Sequence, residues 1–138
     1  MGIHLTKTVG LATVVALSFA NPALSHDPKG GQEKPAFSTQ LPNAPGKTLT
    51  AIVVTFAPGA ASPVHHHAGS VYAYVLTGAI RSENSATGPA RVYRAGDSFF
   101  EPPGSVHLLT ANVSRTKPAS LLAIFVADDG AVLTAPGK

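Results

Sequence analysis

An all-β domain, either a sandwich or a barrel, follows from three features of the sequence. Short apolar runs rich in Val, Ile, Tyr and Phe recur between residues 37 and 127, each about the length of a strand. Breakers rich in Pro and Gly separate them: APGAASP, ENSATGPA, RAGD, PPGS and TKPA. No long stretch carries the period of an amphipathic helix, and neither heptads nor tandem repeats are present. Many short strands at even spacing bury their apolar faces by stacking two sheets or by closing one.

The elements run in order as follows. Residues 1–25, MGIHLTKTVGLATVVALSFANPALS, read as a secretory signal: Lys7 is the early positive charge, and residues 9–20 form an apolar run. That run is too short to span a bilayer comfortably. Ala23 and Ser25 offer the small residues of a cleavage site, so cleavage is expected after Ser25 and the mature protein is expected in the periplasm or outside the cell. A retained N-terminal anchor is the competing reading; after cleavage no stable membrane association is expected. Residues 26–36, HDPKGGQEKPA, read as a flexible lead-in. Its first residue, His26, would become the new N-terminus, an arrangement able to chelate copper but read here as incidental.

Strands are expected over 37–41, 48–56, 64–67, 71–76, 79–82, 90–94, 98–101, 106–113 and 120–127. Together they make one domain over 37–127, followed by a tail over 128–138 expected to be loose. A single domain suits 138 residues. Without Lys7 the chain carries nine basic side chains against seven acidic ones, a net +2. The positive charge is scattered over Arg81, Arg91, Arg94, Arg115 and Lys117, so no nucleic-acid footprint is present. Cysteine is absent, which excludes disulfides, a Cys nucleophile, a CxxC redox motif and an all-Cys zinc site.

Chemistry concentrates in the histidines. His65, His66 and His67 are adjacent, and a strand sends alternate side chains to opposite faces. His65 and His67 therefore share one face, and His66 points away to solvent. His107 lies 40 residues on, and the intervening strand–turn units allow it to return beside the pair. Two imidazoles from one strand and one from another make a three-nitrogen grip with open positions. Such a set suits Fe, Mn, Cu, Ni or Zn.

With these residues in place the sequence resembles the cupin superfamily, and within it small single-domain members of the cupin-2, quercetin-dioxygenase-like kind. One family motif runs Gly, five residues, His-x-His, three or four residues, Glu, six residues, Gly. Here Gly59, His65, His67 and Gly78 match it. The second runs Gly, five residues, Pro-x-Gly, two residues, His, and GDSFFEPPGSVH matches it at Gly96, Pro102, Gly104 and His107. The resemblance spans residues 48–126. It implies a double-stranded β-helix, a conical jelly-roll barrel of the RmlC-like kind, with a divalent metal inside held by His65, His67 and His107. Pairing of two copies through their sheets, a homodimer, is compatible with it.

One departure shifts attention elsewhere. The motif Glu falls at position 71, which is Val71. Glu101, just before the Pro-Pro-Gly turn and after Phe99 and Phe100, is an unexpected acid on an apolar strand. It is the compensating candidate: a fourth metal ligand, an acceptor for an imidazole N–H, or a catalytic general base. The bland alternatives are an exposed strand-end carboxylate and a barrel that has lost its metal. Phe56, Val71, Val75, Phe99 and Phe125 are expected cavity walls, whereas Tyr72, Tyr74 and Tyr93 are expected to serve packing. Gly59, Gly78, Gly96 and Gly104 are expected in turns, and Asp97 is expected to bond the backbone beside its turn. Asn112 begins an NVS glycosylation pattern, a weak signal.

Two functions fit. One is a metal-dependent oxygenase-type enzyme, Fe or Mn favoured and Zn, Ni or Cu compatible, acting on a small organic substrate with Glu101 tuning the ion. The other is an exported, non-catalytic cupin that binds or senses a metal or small ligand. Neither involves nucleic acid.

Overall fold

A computed structural model describes residues 30–137 of the chain. The expected signal segment, its cleavage point and His26 lie outside the described residues. The described chain is built from strands: β1 Gln32–Gln40, β2 Lys47–Phe56, β3 Ala61–Ser62, β4 His65–His67, β5 Ser70–Thr77, β6 Ala79–Asn84, β7 Gly88–Arg94, β8 Ser98–Glu101, β9 Val106–Asn112, β10 Ala119–Asp128 and β11 Thr134–Pro136. They form two antiparallel sheets. One has the order β1-β2-β10-β5-β8; the other runs β11-β4-β9-β6-β7, with β3 also on β9. Consecutive strands alternate between sheets at the β4–β5 and β5–β6 links, the crossing pattern of a double-stranded β-helix.

The core follows from alternation. Along β5, Val71, Ala73 and Val75 are buried while Tyr72, Tyr74 and Leu76 face out. Along β10 the buried set is Ala119, Leu121, Ala123, Phe125 and Ala127. With Ile52 and Phe56 of β2 and Ile80 of β6, these side chains fill the space between the sheets. Burial of this apolar surface is the main stabilising term in a chain without disulfides. Val75, expected as a cavity wall, belongs to this packed core and not to the cavity, because its inward side chain meets the neighbouring core residues.

The structure departs from the sequence expectations at both ends. Gln32–Ala36, read as part of a flexible lead-in, is the first half of β1, and its residues Gln32 to Pro35 pair with β2 ahead of a register shift at Ala36. The tail is not loose: β11 pairs with β4, and Lys47 and Asp128 form an ion pair at the start of the segment. Neither stretch has an apolar alternation of its own, so each owes its order to a neighbouring strand's free edge. Asn112 is buried, and its side-chain N–H groups donate to the carbonyls of Ala57 (3.1 Å) and Lys117 (2.8 Å). It ties a loop down and is not displayed as a glycosylation acceptor would be. Gly59, Gly78, Gly96 and Gly104 all have positive φ, as turn glycines do. Asp97 accepts a bond from the Arg94 amide at 2.7 Å, the expected turn contact.

Candidate metal centre

The histidine pair is delivered by β4 and the third imidazole by β9. These strands are adjacent, and His65 and His107 are register partners. Side chains directly opposite in an antiparallel pair stand on the same face. His65 and His67 point inward and His66 is exposed, as alternation requires. One ring nitrogen from each of His65, His67 and His107 lies within 4.8 Å of the others.

Backbone carbonyls set the tautomers of the pair. The Nδ1 of His65 is 2.7 Å from the Pro63 carbonyl oxygen, and the Nδ1 of His67 is 3.1 Å from that of Leu133. A carbonyl only accepts, so each Nδ1 carries the proton and each Nε2 a lone pair. The two Nε2 atoms then face one another at 3.2 Å. Two lone pairs at that distance repel unless a proton or a cation sits between them. Two nitrogens about 2.1 Å from a common ion are about 3.0 to 3.4 Å apart for right-angle to tetrahedral geometries. The donor set therefore fits a divalent metal.

Glu101 adjoins the three-histidine cluster. It is 4 % exposed, so the strand-end alternative is excluded. Its Oε1 is 3.0 Å from His107 Nδ1 and its Oε2 3.9 Å from His67 Nε2. Val71 and Glu101 are register partners on β5 and β8. Position 71, where the family motif places its carboxylate, therefore stands beside Glu101 on the same inner face. A carboxylate reaches the cluster from the neighbouring strand.

Several supporting residues were not singled out from the sequence. Asn84 donates to Glu101 Oε2 (3.2 Å) and to Ser105 Oγ (2.9 Å). Ser82 Oγ and Thr110 Oγ1 lie 2.8 Å and 2.7 Å from His107 Nε2. The sequence signal for them was alternation itself: Ile80, Ser82 and Asn84 share the inward face of β6, and two polar residues there need partners. Thr134 Oγ1, 3.1 Å from His67 Nδ1, comes from the tail.

Electrostatics follow burial. Desolvation lowers the pKa of His67 to about 4, with the nearby His65 adding to it and Glu101 opposing it. Desolvation also lowers that of His65. For Glu101 burial pushes upward, but the His107 hydrogen bond and the three imidazoles outweigh it, so the carboxyl lies below its ordinary value. The pair is thus neutral and the acid ionised near pH 7, the forms that bind metal. In the unfolded chain His67 takes up a proton near pH 6.5, which the folded chain refuses until about pH 4. Stability present at neutral pH is therefore lost as pH falls through that window, by up to about 3 kcal/mol from His67. Urea unfolding of metal-free protein at pH 7 and pH 4.5 reads this directly; equal midpoints would contradict it.

The cluster opens into a cavity of about 210 Å³. Phe56, Val71, Phe99 and Phe125 line it as expected, with Leu121 and Thr134 added. Tyr72 and Tyr74 face solvent, and Tyr93 packs on Phe99 with ring centroids 4.8 Å apart. Phe125 stands edge-on to His67 at 5.2 Å.

Residues 52–125 match the family model of the cupin domain. The chain belongs to the cupin family. Among solved structures this cupin is similar to an uncharacterized conserved protein with a double-stranded β-helix domain from Klebsiella pneumoniae. That match has 21% identity and a TM-score of 0.60, covering 79% of this chain and 85% of the other. It is also similar to KdgF from Halomonas sp., at 25% identity and a TM-score of 0.60, covering 78% and 86%. The DMSP lyase DddQ from Ruegeria pomeroyi matches at 25% identity and a TM-score of 0.55, over 64% of this chain but only 42% of the lyase. No curated protein matches the sequence.

Proposed function

We propose that this cupin is an exported metalloprotein that holds Fe or Mn through His65, His67, His107 and Glu101 and performs an oxygenase-type reaction on a small organic substrate. The observation that carries the metal is the facing pair of Nε2 lone pairs at 3.2 Å beside a buried carboxylate. A bound ion would supply Lewis acidity and open coordination positions there. The chain's own groups do the rest. His65 and His67 are held to one tautomer by the Pro63 and Leu133 carbonyls. Glu101 is held by Asn84 and accepts a hydrogen bond from His107 Nδ1. Phe56, Phe99 and Phe125 keep bulk water from the site and offer an apolar surface to the substrate. The lyase among the similar structures supports a small-molecule substrate.

A non-catalytic binding role is favoured by one observation: both carboxylate oxygens of Glu101 already face partners, leaving it less available as a general base. Metal analysis combined with oxygen uptake over a panel of phenols, diketones and thiols separates the readings. Near-stoichiometric Fe or Mn with substrate-dependent uptake supports the enzyme; metal without uptake supports the binder; no metal after supplemented expression overturns both. Glu101→Gln is expected to weaken metal affinity by about tenfold to a hundredfold, on the scale of losing a carboxylate that orients or ligates. Unchanged affinity in E101Q would remove Glu101 from the site.

A further inference from the structure

The cavity contains a second carboxyl group that the metal cluster does not use. Glu33 comes from β1, where it is the register partner of Val54, and it lines the cavity together with Val54 and Phe56. It is half-buried and makes no ion pair among the described residues. Its position is fixed from the residues before it. Gly31 lies so close to the barrel wall that a Cβ there would overlap Val54 Cγ1 and stand 3.2 Å from Phe56 Cζ. The small glycine lets the backbone seat closely against that wall, two residues before Glu33. Burial pushes the Glu33 carboxyl above its ordinary value, because the apolar wall opposes its charge and nothing nearby compensates it.

The remaining lining is apolar apart from the histidines, Glu101 and a few hydroxyls, and no Lys or Arg lines the cavity among the described residues. A ligand carboxylate would meet two acids and no protein cation away from the metal cluster. A ligand hydroxyl or ammonium group would instead satisfy the lone pairs of Glu33.

We propose that Glu33 is the specificity-determining residue of the cavity, accepting a hydrogen bond from a hydroxyl or ammonium group on a compact, otherwise apolar ligand and disfavouring a carboxylate at that end. This rests on reading the cavity over the histidine cluster as the ligand site. The ring of such a ligand would lie among Phe56, Leu121 and Phe125, with its polar end toward β1.

Benzylamine, benzyl alcohol and benzoate share one ring and differ in the polar end, so calorimetric titration of each isolates that end. Wild-type protein and Glu33→Gln are compared, with metal content measured separately on both and folding checked by circular dichroism. The expected result is that E33Q lowers the ratio of benzylamine to benzoate affinity by about tenfold or more, the scale of a hydrogen bond to a charged group. Metal content should not change. Metal that binds while the ratio stays unchanged overturns the role of Glu33 and leaves the metal reading standing. A shifted ratio in protein that takes up no metal overturns the metal reading and supports the role of Glu33. Failure of all three probes to bind wild-type protein overturns the role of Glu33.

Discussion

Replacing His67 by alanine is expected to lower divalent-metal affinity by about a hundredfold to a thousandfold, because about 10–16 kcal/mol shared over the four proposed ligands is roughly 2.5–4 kcal/mol each. The reason for choosing His67 is its geometry. Its Nδ1 is fixed by the Leu133 carbonyl and Thr134, its Nε2 faces that of His65, and Phe125 packs edge-on against the ring. The flanking His66 is exposed on the opposite face and cannot take its place. His66→Ala is therefore the matched control and should bind metal as the wild type does. Competition against a chromogenic chelator for Mn or Zn measures both, with circular dichroism confirming the fold. Wild-type affinity in H67A, or equal losses in the two variants, would show that the ion is not held by this cluster.

Much of the centre was legible because strands make simple rules. Alternation separated His66 from its neighbours, and the two spaced motifs brought His107 to the pair. Glu101 drew notice as an acid among aromatics, and it is buried against His107. That it stands directly opposite Val71 was not legible. That depends on β5 pairing with β8, a register fixed by the whole sheet and not by either segment. The same holds for the tail. Thr134–Pro136 has no strand signature; it is ordered by the free edge of β4. The tautomer control exerted by the Pro63 and Leu133 carbonyls was equally hidden, since every residue carries a carbonyl and only the fold selects which one faces a ring. Glu33 is not legible in the sequence because its surroundings, GGQEKPA, have the composition of a linker, and only the fold sets Gly31 against the barrel wall.

Gly69→Ala is expected to destabilise the fold by about 3 kcal/mol and lower the melting temperature by roughly 10 °C, combining the cost of a left-handed backbone with a backbone clash. Gly69 has φ +80°, and an added Cβ would overlap the Val126 carbonyl oxygen and lie 2.8 Å from Ala127 Cα. These are backbone atoms of β10, the strand at the centre of the five-stranded sheet, and they cannot rotate away as a side-chain tip would. Gly59 is the informative comparison. It also has positive φ, +70°, but an added Cβ there meets nothing within 4 Å, so Gly59→Ala carries the conformational cost alone, about 1–2 kcal/mol. The excess in G69A reads the clash. Its consequence reaches the metal, because Ala68 and Gly69 are the entire link between β4, which carries the histidine pair, and β5 in the opposite sheet. The Ala68 amide and the His67 ring share the Leu133 carbonyl, at 3.1 Å each, so displacing the link loosens the anchor that orients His67. G69A should therefore weaken metal binding as well as stability, whereas G59A should leave metal binding intact. Equal melting temperatures for the two variants would show that the sheet accommodates the extra methyl group and that this link does not hold the site.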